Sequence, residues 1–343
     1  MKFFSLFTQE LAIDLGTANT LIIQDGKIVV DEPSIVAIDR KTGQTIAVGH
    51  KAMQMHEKTH ESIKTVRPLK DGVIADFTAA ENMIKGMIQM IGKRRRLFSH
   101  LKMVICIPSG ITEVEKRAVF ESADHVDSKE TYLIYEPLAA ALGIGLDVEE
   151  PVGNMVIDIG GGTTEIAVIA LSGIVCDQSI RIAGDEFTSD IMTYMRHQHN
   201  ILIGERTAEK IKIEVGSALT ELDNPPDDIA VNGRDLMTGI PKQITVNYSE
   251  IAGCLDKSIS KVEDAVLKAL EATPPELAAD IYKTGIYLTG GGALLRGLDK
   301  RIAQRTRLTV HVADDPLRAV VRGTGIALKN TDRFSFLIDR KNV

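Results

Sequence analysis

Two segments of the chain repeat the same order of features. Residues 12–29 run from an apolar strand through an aspartate and a glycine–threonine turn into a second apolar strand and an Asp-Gly bend. Residues 156–175 do the same and reach a Ser-Gly bend. A dipeptide such as Asp-Gly or Ser-Gly between two apolar runs is a strong hairpin signal. Because the whole series recurs, we interpret it as a duplication, with one half of the protein beginning near each copy.

The rest of the sequence alternates strand-like and helix-like stretches. A capping-box spacing from Thr112 to Glu115 marks one helix start. The predicted strands span 101–107, 132–135 and 285–289, and the predicted helices span 112–123, 137–143 and 293–304. This alternation indicates an α/β protein with partly parallel sheets. A chain of 343 residues is long enough for two sizeable domains.

Two stretches, at 30–70 and 182–240, lack this alternation. Each follows the hairpin of its half at a similar offset, so we expect a smaller subdomain inserted into each half. The predicted subdomains are IA (1–30, 70–145 and 316–343), IB (31–69), IIA (146–181 and 241–315) and IIB (182–240).

Composition argues against several classes of function. A net charge of −7 disfavours a nucleic-acid partner, which needs a basic face. Cys106, Cys176 and Cys254 are widely spaced, which fits reduced, buried thiols in a cytosolic protein better than a catalytic cysteine. No apolar run approaches the ~20 residues that span a bilayer, and no cleavage site follows the short apolar N-terminal stretch. The sequence therefore predicts a cytoplasmic location.

Glycine turns that suit phosphate occur three times, at 16–17, 160–164 and 290–292. A phosphate cradle needs backbone N–H groups that point one way, and glycine lets the chain approach an anion closely. The third turn lies between a predicted strand and a predicted helix, where the helix dipole favours negative charge. Neither the P-loop signature nor the Rossmann glycine fingerprint occurs.

An aspartate precedes two of these turns. Asp14 and Asp158 end apolar strands, where an unpaired carboxylate is costly. Two carboxylates at a phosphate site suit hydrated Mg²⁺, which takes one or two carboxylates together with water and phosphate oxygens. A single Asp-x-Gly-Thr is more often an ordinary tight turn, but two copies with a third glycine turn favour a nucleotide site.

Five motifs resemble, in order, those of the actin, Hsp70 and sugar-kinase superfamily. The matching segments are 14–20 and 158–165 (two phosphate loops), 289–293 (adenosine loop), and 136–141 and 315–325 (two connecting elements). Within that superfamily the chain resembles the MreB family over nearly its whole length. The further stretches that carry this resemblance are 31–34, 67–76, 204–212 and 288–295.

The resemblance implies an actin-like ATPase fold: two duplicated, RNase H-like halves, each with a smaller inserted subdomain, and a nucleotide in the cleft between them. It implies ATP and ADP with Mg²⁺ as cofactors, and slow hydrolysis of ATP coupled to polymerisation into paired protofilaments. It also implies a peripheral position on the inner face of the cytoplasmic membrane. There the filament would work with membrane proteins of the cell-wall elongation machinery to set rod shape.

The resemblance also implies roles for individual residues. Asp14 and Asp158 hold Mg²⁺ through water, Glu136 polarises the attacking water, and Thr163 orients that water or the γ-phosphate. Asp158 also counts among the catalytic residues. The cofactor-binding residues are Gly16, Thr17, Ala18, Asn19, Thr20, Gly160, Gly161, Gly162, Thr163, Thr164, Glu209, Lys212, Gly290, Gly291, Gly292 and Ala293.

Plainer interpretations of these residues stay open. Glu136 precedes Pro137, and the alternative is a carboxylate at a helix N-terminus that the helix dipole stabilises. Glu209 and Lys212, one helical turn apart, also read as a solvent-exposed ion pair worth a few tenths of a kcal/mol.

Two segments are candidates for membrane contact. Phe3, Phe4 and Phe7 form a short interfacial anchor or a segment packed on the body. Leu97 and Phe98 follow a basic run at 93–96, and each basic residue adds about 1 kcal/mol of attraction to anionic lipid. The alternative for this run is a solvated helix end. The family's hydrophobic membrane loop in this region favours contact.

One metal motif occurs in the sequence. His56-Glu57-Lys-Thr-His60 matches the HExxH pattern of zinc metalloproteases. A working site needs an ordered helix and a third ligand, and the stretch is mostly polar, so we expect a chance match.

Three other functions are compatible with the same superfamily. A small-molecule kinase needs an acceptor pocket and a catalytic base, for which the sequence shows no feature. An Hsp70-like ATPase module needs a peptide-binding domain, and only about twenty residues follow Gly325. An actin-like positioning filament would not depend on the two membrane segments.

Overall fold

The computed structural model describes residues 8–92 and 100–335, and the backbone of 338–340. The strands are β1 (Thr8–Leu15), β2 (Asn19–Gln24), β3 (Lys27–Pro33), β4 (Val36–Asp39), β5 (Thr45–Val48), β6 (Ile63–Val66), β7 (Leu69–Lys70), β8 (Val73–Ile74), β9 (His100–Ile107), β10 (Ser128–Tyr135), β11 (Asn154–Ile159), β12 (Thr164–Ala170), β13 (Gly173–Ile180), β14 (Ile201–Leu202), β15 (Ile229–Asp235), β16 (Pro241–Val246), β17 (Ile286–Thr289), β18 (Val310–Val312) and β19 (Ile338–Arg340). The helices are α1 (His50–Met55), α2 (Phe77–Met90), α3 (Glu113–Asp124), α4 (Glu136–Gly143), α5 (Gly184–Gln198), α6 (Glu205–Val215), α7 (Tyr248–Ala272), α8 (Pro275–Thr284), α9 (Leu298–Thr306) and α10 (Ala319–Lys329).

Two large sheets share a five-stranded topology, to which the first sheet adds the antiparallel edge strand β19. The first runs β19-β10-β9-β1-β2-β3 and the second runs β13-β12-β11-β17-β18. In each, an antiparallel three-stranded meander is followed by parallel strands beside its first strand. The predicted duplication and the α/β class are therefore confirmed. In each meander the repeated aspartate–glycine–threonine segment joins the first strand to the second (β1 to β2, and β11 to β12), so the repeated turns occupy equivalent places in the two halves.

The hairpin bends agree with the sequence in one half and shift in the other. Asp25 and Gly26 form the first bend, with φ angles of 52° and 76° that suit a tight two-residue turn. In the second half the bend is Leu171–Ser172, with φ of 49° and 64°, because Ala170 pairs directly with Gly173. The predicted Ser-Gly bend is thus wrong by one residue.

Two of the three predicted helices are confirmed, at α3 and α4, and the third is wrong. Thr112 and Glu115 form the capping box of α3. The stretch 293–304 is not one helix: a 3₁₀ turn at Gly291–Leu294 precedes α9, and Gly297 separates them with φ 72°. The 3₁₀ turn ends where Leu295 becomes extended, and Gly297, whose left-handed conformation suits glycine, immediately precedes α9.

The two connecting helices cross in backbone contact. α4 leads from β10 toward the second half, and α10 leads back toward β19 in the first sheet. A Cβ on Gly143 would overlap the carbonyl of Ala319, and a Cβ on Gly323 would overlap the carbonyl of Ala139. Only glycine at both positions allows the helices to approach so closely.

Two small three-stranded sheets and the two-stranded pair β7–β8 make up the other sheets of the described residues. β5-β4-β6 lies within residues 36–66, and β14-β15-β16 lies within 201–246. β16 pairs with β15 throughout its length, so this sheet continues past the boundary predicted at residue 240. The four-subdomain division otherwise stays a prediction. Across the described ranges, no helix is long and apolar enough to cross a membrane.

Candidate functional site

A cleft with a cavity of about 810 Å³ is lined by residues of both halves. All three glycine turns reach it. The predicted site residues that line it are Asp14, Gly16, Thr17, Ala18, Asn19, Glu136, Asp158, Gly160, Gly161, Gly162, Thr163, Glu209, Lys212, Gly290, Gly291 and Gly292. Predicted site residues up to 278 positions apart in the sequence, from Asp14 to Gly292, thus converge on one cavity.

Thr20, Thr164 and Ala293 lie behind the lining. The Thr20 and Ser34 hydroxyls are 2.8 Å apart, and Thr164 donates to the carbonyl of Ile182 at 2.7 Å. Ala293 is buried in its 3₁₀ turn. The structure therefore gives these three residues a place in shaping the turns rather than in lining the cavity.

The two phosphate-type turns meet across the cleft. A Cβ on Gly161 would lie 2.7 Å from the Cβ of Ala18, and one on Gly162 would lie 2.6 Å from Thr17 Oγ1. Such distances are not tolerated by real side chains, so glycine is required at both positions. The close approach brings the backbone of both turns to the same part of the cavity.

Hydrogen bonds fix the shape of each turn. The Ser34 hydroxyl donates to the carbonyl of Gly16 at 2.6 Å, and the Gly160 N–H donates to the carbonyl of Thr163 at 2.9 Å. The Gly72 N–H donates to Thr17 Oγ1 at 2.9 Å. These turns are preorganised, which is what an anion-binding backbone requires.

Asp14 and Asp158 lie next to these turns, and the pKa of each carboxyl group is raised. Desolvation by the surrounding protein raises the pKa of Asp14 to about 6, although Cys106 donates to its carboxylate at 3.2 Å and opposes the rise. Burial raises the pKa of Asp158 to about 7, against a hydrogen bond from Thr289 at 2.7 Å. Nearby carboxylates, Glu165 among them, add to the rise at Asp158.

Glu136 lies at the first turn of α4 and is almost fully buried. Its pKa is raised well above the ordinary value, first by burial and then by repulsion from Glu165, Asp158 and Asp14. Four carboxyl groups therefore share one poorly solvated region. Such a cluster needs protons or a cation to offset its charge, and the adjoining backbone turns suit phosphate. The donor set fits Mg²⁺ held through water beside a nucleotide.

Lys212 of α6, which also lines the cavity, is held by several oxygens. Its ammonium donates to the Glu209 carboxylate at 2.7 Å, to the Gly184 carbonyl at 2.8 Å and to Thr188 Oγ1 at 3.0 Å. Thr188 donates in turn to Glu209 at 2.7 Å. The predicted ion pair is therefore formed, with the Lys212 side chain 15% exposed and that of Glu209 44% exposed.

Apolar side chains that sequence reasoning missed line the same cavity. Ile213, Leu294 and Leu317 are each more than half exposed, yet all three face the cavity. Flat apolar walls beside glycine turns suit a purine ring. Single apolar residues near element ends carry no signal of their own in the sequence.

Two further turns at the site were also missed. Asp71 and Gly72 both have positive φ, at 52° and 79°, and press against Thr17 and Gly162. The Asp185 N–H at the start of α5 donates to the Gly161 carbonyl at 2.8 Å. Burial raises the pKa of Asp185. An Asp-Gly pair and an aspartate at a helix start were the available signals.

The HExxH residues do not lie on a helix, because α1 ends at Met55. His56 contacts Thr65 and Glu205, and His60 contacts Ser62. Glu57 accepts from the backbone of Glu205. Among the residues that the structure describes, no three His, Cys, Asp or Glu side chains converge as metal ligands.

The three cysteines lie within the described residues, whereas the predicted membrane-contact residues do not. Cys106 is buried, whereas Cys176 and Cys254 are half-buried. Burial raises the pKa of Cys254 to about 12 and that of Cys106 above its ordinary range, which leaves both thiols protonated. The predicted membrane residues Phe3, Phe4, Phe7, Leu97 and Phe98 lie outside the described residues.

Two duplicated α/β halves with glycine turns converging on an interdomain cleft define an actin-like ATPase fold. The family model described as MreB/Mbl protein matches residues 8–335, and the chain belongs to this family. It is 46% identical over 329 residues to the cell shape-determining protein Mbl of Bacillus subtilis, covering 96% of this chain and 98% of the relative. It is 48% identical over 339 residues to the cell shape-determining protein MreB of Escherichia coli, covering 96% of each.

Solved structures agree with this assignment. MreB 5 of Spiroplasma citri bound to AMPPNP superposes with a TM-score of 0.89 at 39% identity, covering 95% of this chain and 97% of that one. The same protein bound to ADP gives a TM-score of 0.90, covering 95% and 98%. The predicted family and fold class are therefore confirmed.

Proposed function

We propose that this chain is a filament-forming actin-like ATPase that binds ATP and ADP with Mg²⁺ in its cleft. The observation that carries the proposal is the meeting of the turns at Gly16–Thr17 and Gly160–Thr163 beside Asp14 and Asp158. MreB 5 of Spiroplasma citri, a relative over nearly the whole chain, was solved with both AMPPNP and ADP. The purine would lie between α6 and the Gly290–Gly292 turn.

The chain's own residues would bind and orient the nucleotide. Backbone N–H groups of the two turns would bind the β- and γ-phosphates, and Lys212 with Glu209 would flank the adenosine. Asp14 and Asp158 would accept hydrogen bonds from water on Mg²⁺, whose charge would neutralise the phosphates.

Glu136 and Thr163 would then act on the attacking water. Thr163 orients it, and the Glu136 carboxylate polarises it toward the γ-phosphorus. The new P–O bond forms as the bond to the β–γ bridging oxygen breaks, and ADP leaves with that electron pair. The water proton passes to Glu136. Catalysis by position and electrostatics suits slow turnover.

The cellular role that we propose is that of the relatives, which are cell shape-determining proteins. Paired protofilaments of this chain would assemble on the inner face of the cytoplasmic membrane and organise cell-wall synthesis. Phe3, Phe4 and Phe7 at the N-terminus, with Leu97 and Phe98, would contact anionic lipid. Many weak contacts along one filament add together.

A pelleting experiment tests the proposal. Wild type, Asp158→Ala and a chain lacking residues 1–8 are sedimented with Mg-ATP, with and without anionic liposomes. We expect ATP-dependent filaments that co-sediment with lipid, are lost in Asp158→Ala and bind lipid less after the deletion. A monomer that binds ATP under every condition would instead favour a kinase or an Hsp70-like module. Filaments indifferent to lipid would favour a positioning filament.

A further inference from the structure

Helix α6 lacks a cap of its own. Its N-cap residue is Gly204, which has no side chain, and the first helical N–H belongs to Glu205. That N–H donates instead to the Glu57 carboxylate at 3.1 Å, across 148 residues of sequence. A carboxylate at a helix N-terminus satisfies an orphan donor and interacts favourably with the helix dipole. Glu57 therefore caps α6 from the segment that carries β4 to β6.

The backbone conformation of Glu57 and the absence of a side chain at Gly204 both permit this contact. Glu57 has φ 59°, a left-handed conformation that is costly for a residue other than glycine. A Cβ on Gly204 would lie 3.0 Å from the Glu57 Cδ and closer still to one carboxylate oxygen. Any larger residue at 204 would thus displace the cap.

Two neighbours of Glu57 hold the same end of α6. The Arg67 guanidinium pairs with the Glu205 carboxylate, and His56 Nε2 lies 3.2 Å from it. His56 Nδ1 is fixed in turn by Thr65 Oγ1 at 2.9 Å. Arg67 and Glu205 both line the cavity, so these contacts lie at the cleft.

α6 carries Glu209 and Lys212 on the wall where the adenosine would bind. We propose that Glu57, with His56 and Arg67, forms a clasp that positions α6 and slows the release of bound nucleotide. The clasp rests on the proposed nucleotide site, and Glu57 acts through α6 as a positioning residue. Because Glu57 is exposed, the effect is modest and sensitive to salt.

The test uses the full chain loaded with a fluorescent ATP analogue and chased with excess ATP. Glu57→Gly removes the carboxylate and suits the left-handed backbone, so folding is preserved. We expect its release rate to rise about three- to tenfold, with a smaller difference at 0.5 M salt. Glu61→Gly, the same change at an exposed glutamate four residues along, is the matched control and should release at the wild-type rate.

A double-mutant cycle isolates the contact. Gly204→Ala changes no charge, and we expect it to speed release to the same degree as Glu57→Gly by displacing the carboxylate. In the Glu57→Gly background, the alanine should add almost nothing. Additive effects, or two single variants that release nucleotide at the wild-type rate, would overturn the clasp.

Amide hydrogen exchange separates this inference from the proposed function. In nucleotide-free protein, Glu57→Gly should speed exchange in the first turn of α6 severalfold, and Glu61→Gly should not. Unchanged exchange there refutes the cap even if wild type binds no nucleotide. Faster exchange without any nucleotide binding would leave the cap intact and refute the proposed function, and with it the role in nucleotide release.

Discussion

Ser109 donates two hydrogen bonds to one carboxylate oxygen of Glu165, from its backbone N–H at 3.1 Å and its hydroxyl at 2.6 Å. Ser179 donates to the other oxygen at 2.6 Å. Ser109 follows β9 in the first sheet, whereas Glu165 and Ser179 belong to the second. A fully buried carboxyl group therefore ties the two halves together beneath the cleft.

Removing this tie should destabilise the protein. Glu165→Ala leaves three donors without their acceptor, but it also removes the repulsion between Glu165 and Glu136. We expect the net fall in the free energy of unfolding to be about 2 kcal/mol. Ser179→Ala removes one hydrogen bond and should cost about 1 kcal/mol. Urea unfolding of both variants without nucleotide measures this. Equal losses in the two variants would contradict the tie between halves.

The pKa of Asp158 predicts how stability depends on pH. Folding raises this pKa from 3.8 to about 7, so the folded state binds the proton more tightly. The contribution of this proton to the free energy of unfolding is complete below pH 3.8. It is lost as the pH rises to about 7, by up to about 4 kcal/mol. Asp158→Asn should therefore raise the melting temperature of nucleotide-free protein at pH 8 more than at pH 5. A pH-independent difference would refute this ionisation account.

Binding of Mg-ATP should release protons. Near pH 6.5, Asp158 is largely protonated and Asp14 partly so, and the arriving cation favours their ionised forms. Affinity should therefore increase as pH rises through 6 and 7. Calorimetry in two buffers with different ionisation enthalpies measures the protons released. Asp158→Asn should release fewer, and an identical binding enthalpy in both buffers would count against the prediction.

A methyl group between the two phosphate turns should weaken nucleotide binding. In Gly162→Ala the new Cβ would meet Thr17 Oγ1 at 2.6 Å and the Asp71 backbone at 3.0 Å, which forces the turns apart. We expect affinity for a fluorescent ATP analogue to fall at least about tenfold, by analogy with the cost of overpacking. Gly253→Ala on α7, where the Cβ meets nothing within 4 Å, is the control. Wild-type affinity in Gly162→Ala would show that the turns need not touch.

Glu136→Gln should separate binding from hydrolysis. The amide keeps the size of the side chain but cannot take a proton from water. We expect phosphate release to fall about 100-fold or more, while affinity for the ATP analogue changes little. Single-turnover phosphate release measures the chemical step. Hydrolysis at the wild-type rate would leave Glu136 with the role of a buried carboxylate at a helix start.

The sequence predicted the parts of the site that reside in local motifs. Asp14 and Asp158 each precede a glycine turn, so their repetition revealed both the duplication and the two turns that meet across the cleft. The Gly72–Thr17 contact was missed, because 55 residues separate the two and no local pattern encodes their meeting. The bend at Leu171–Ser172 was misplaced because both residues adopt positive φ without glycine.

The clasp, too, involves contacts between distant residues that no local sequence pattern reveals. The sequence around His56 and Glu57 matched a zinc motif, since a short pattern does not reveal whether its residues share a helix. Their contacts with Glu205 depend on how an inserted segment folds back over the cleft. Long-range placement of this kind follows from tertiary packing and not from local propensity.

The crossing of α4 and α10 constrains how the halves can move. At Gly143 and Gly323 backbone meets backbone, with no side chain between the helices to yield. The distance between the halves is therefore fixed at this point, and we expect small backbone torsions on either side to change only the angle between them. We therefore expect the cleft to open and close by a rotation about the crossing, which would move Glu57 relative to α6.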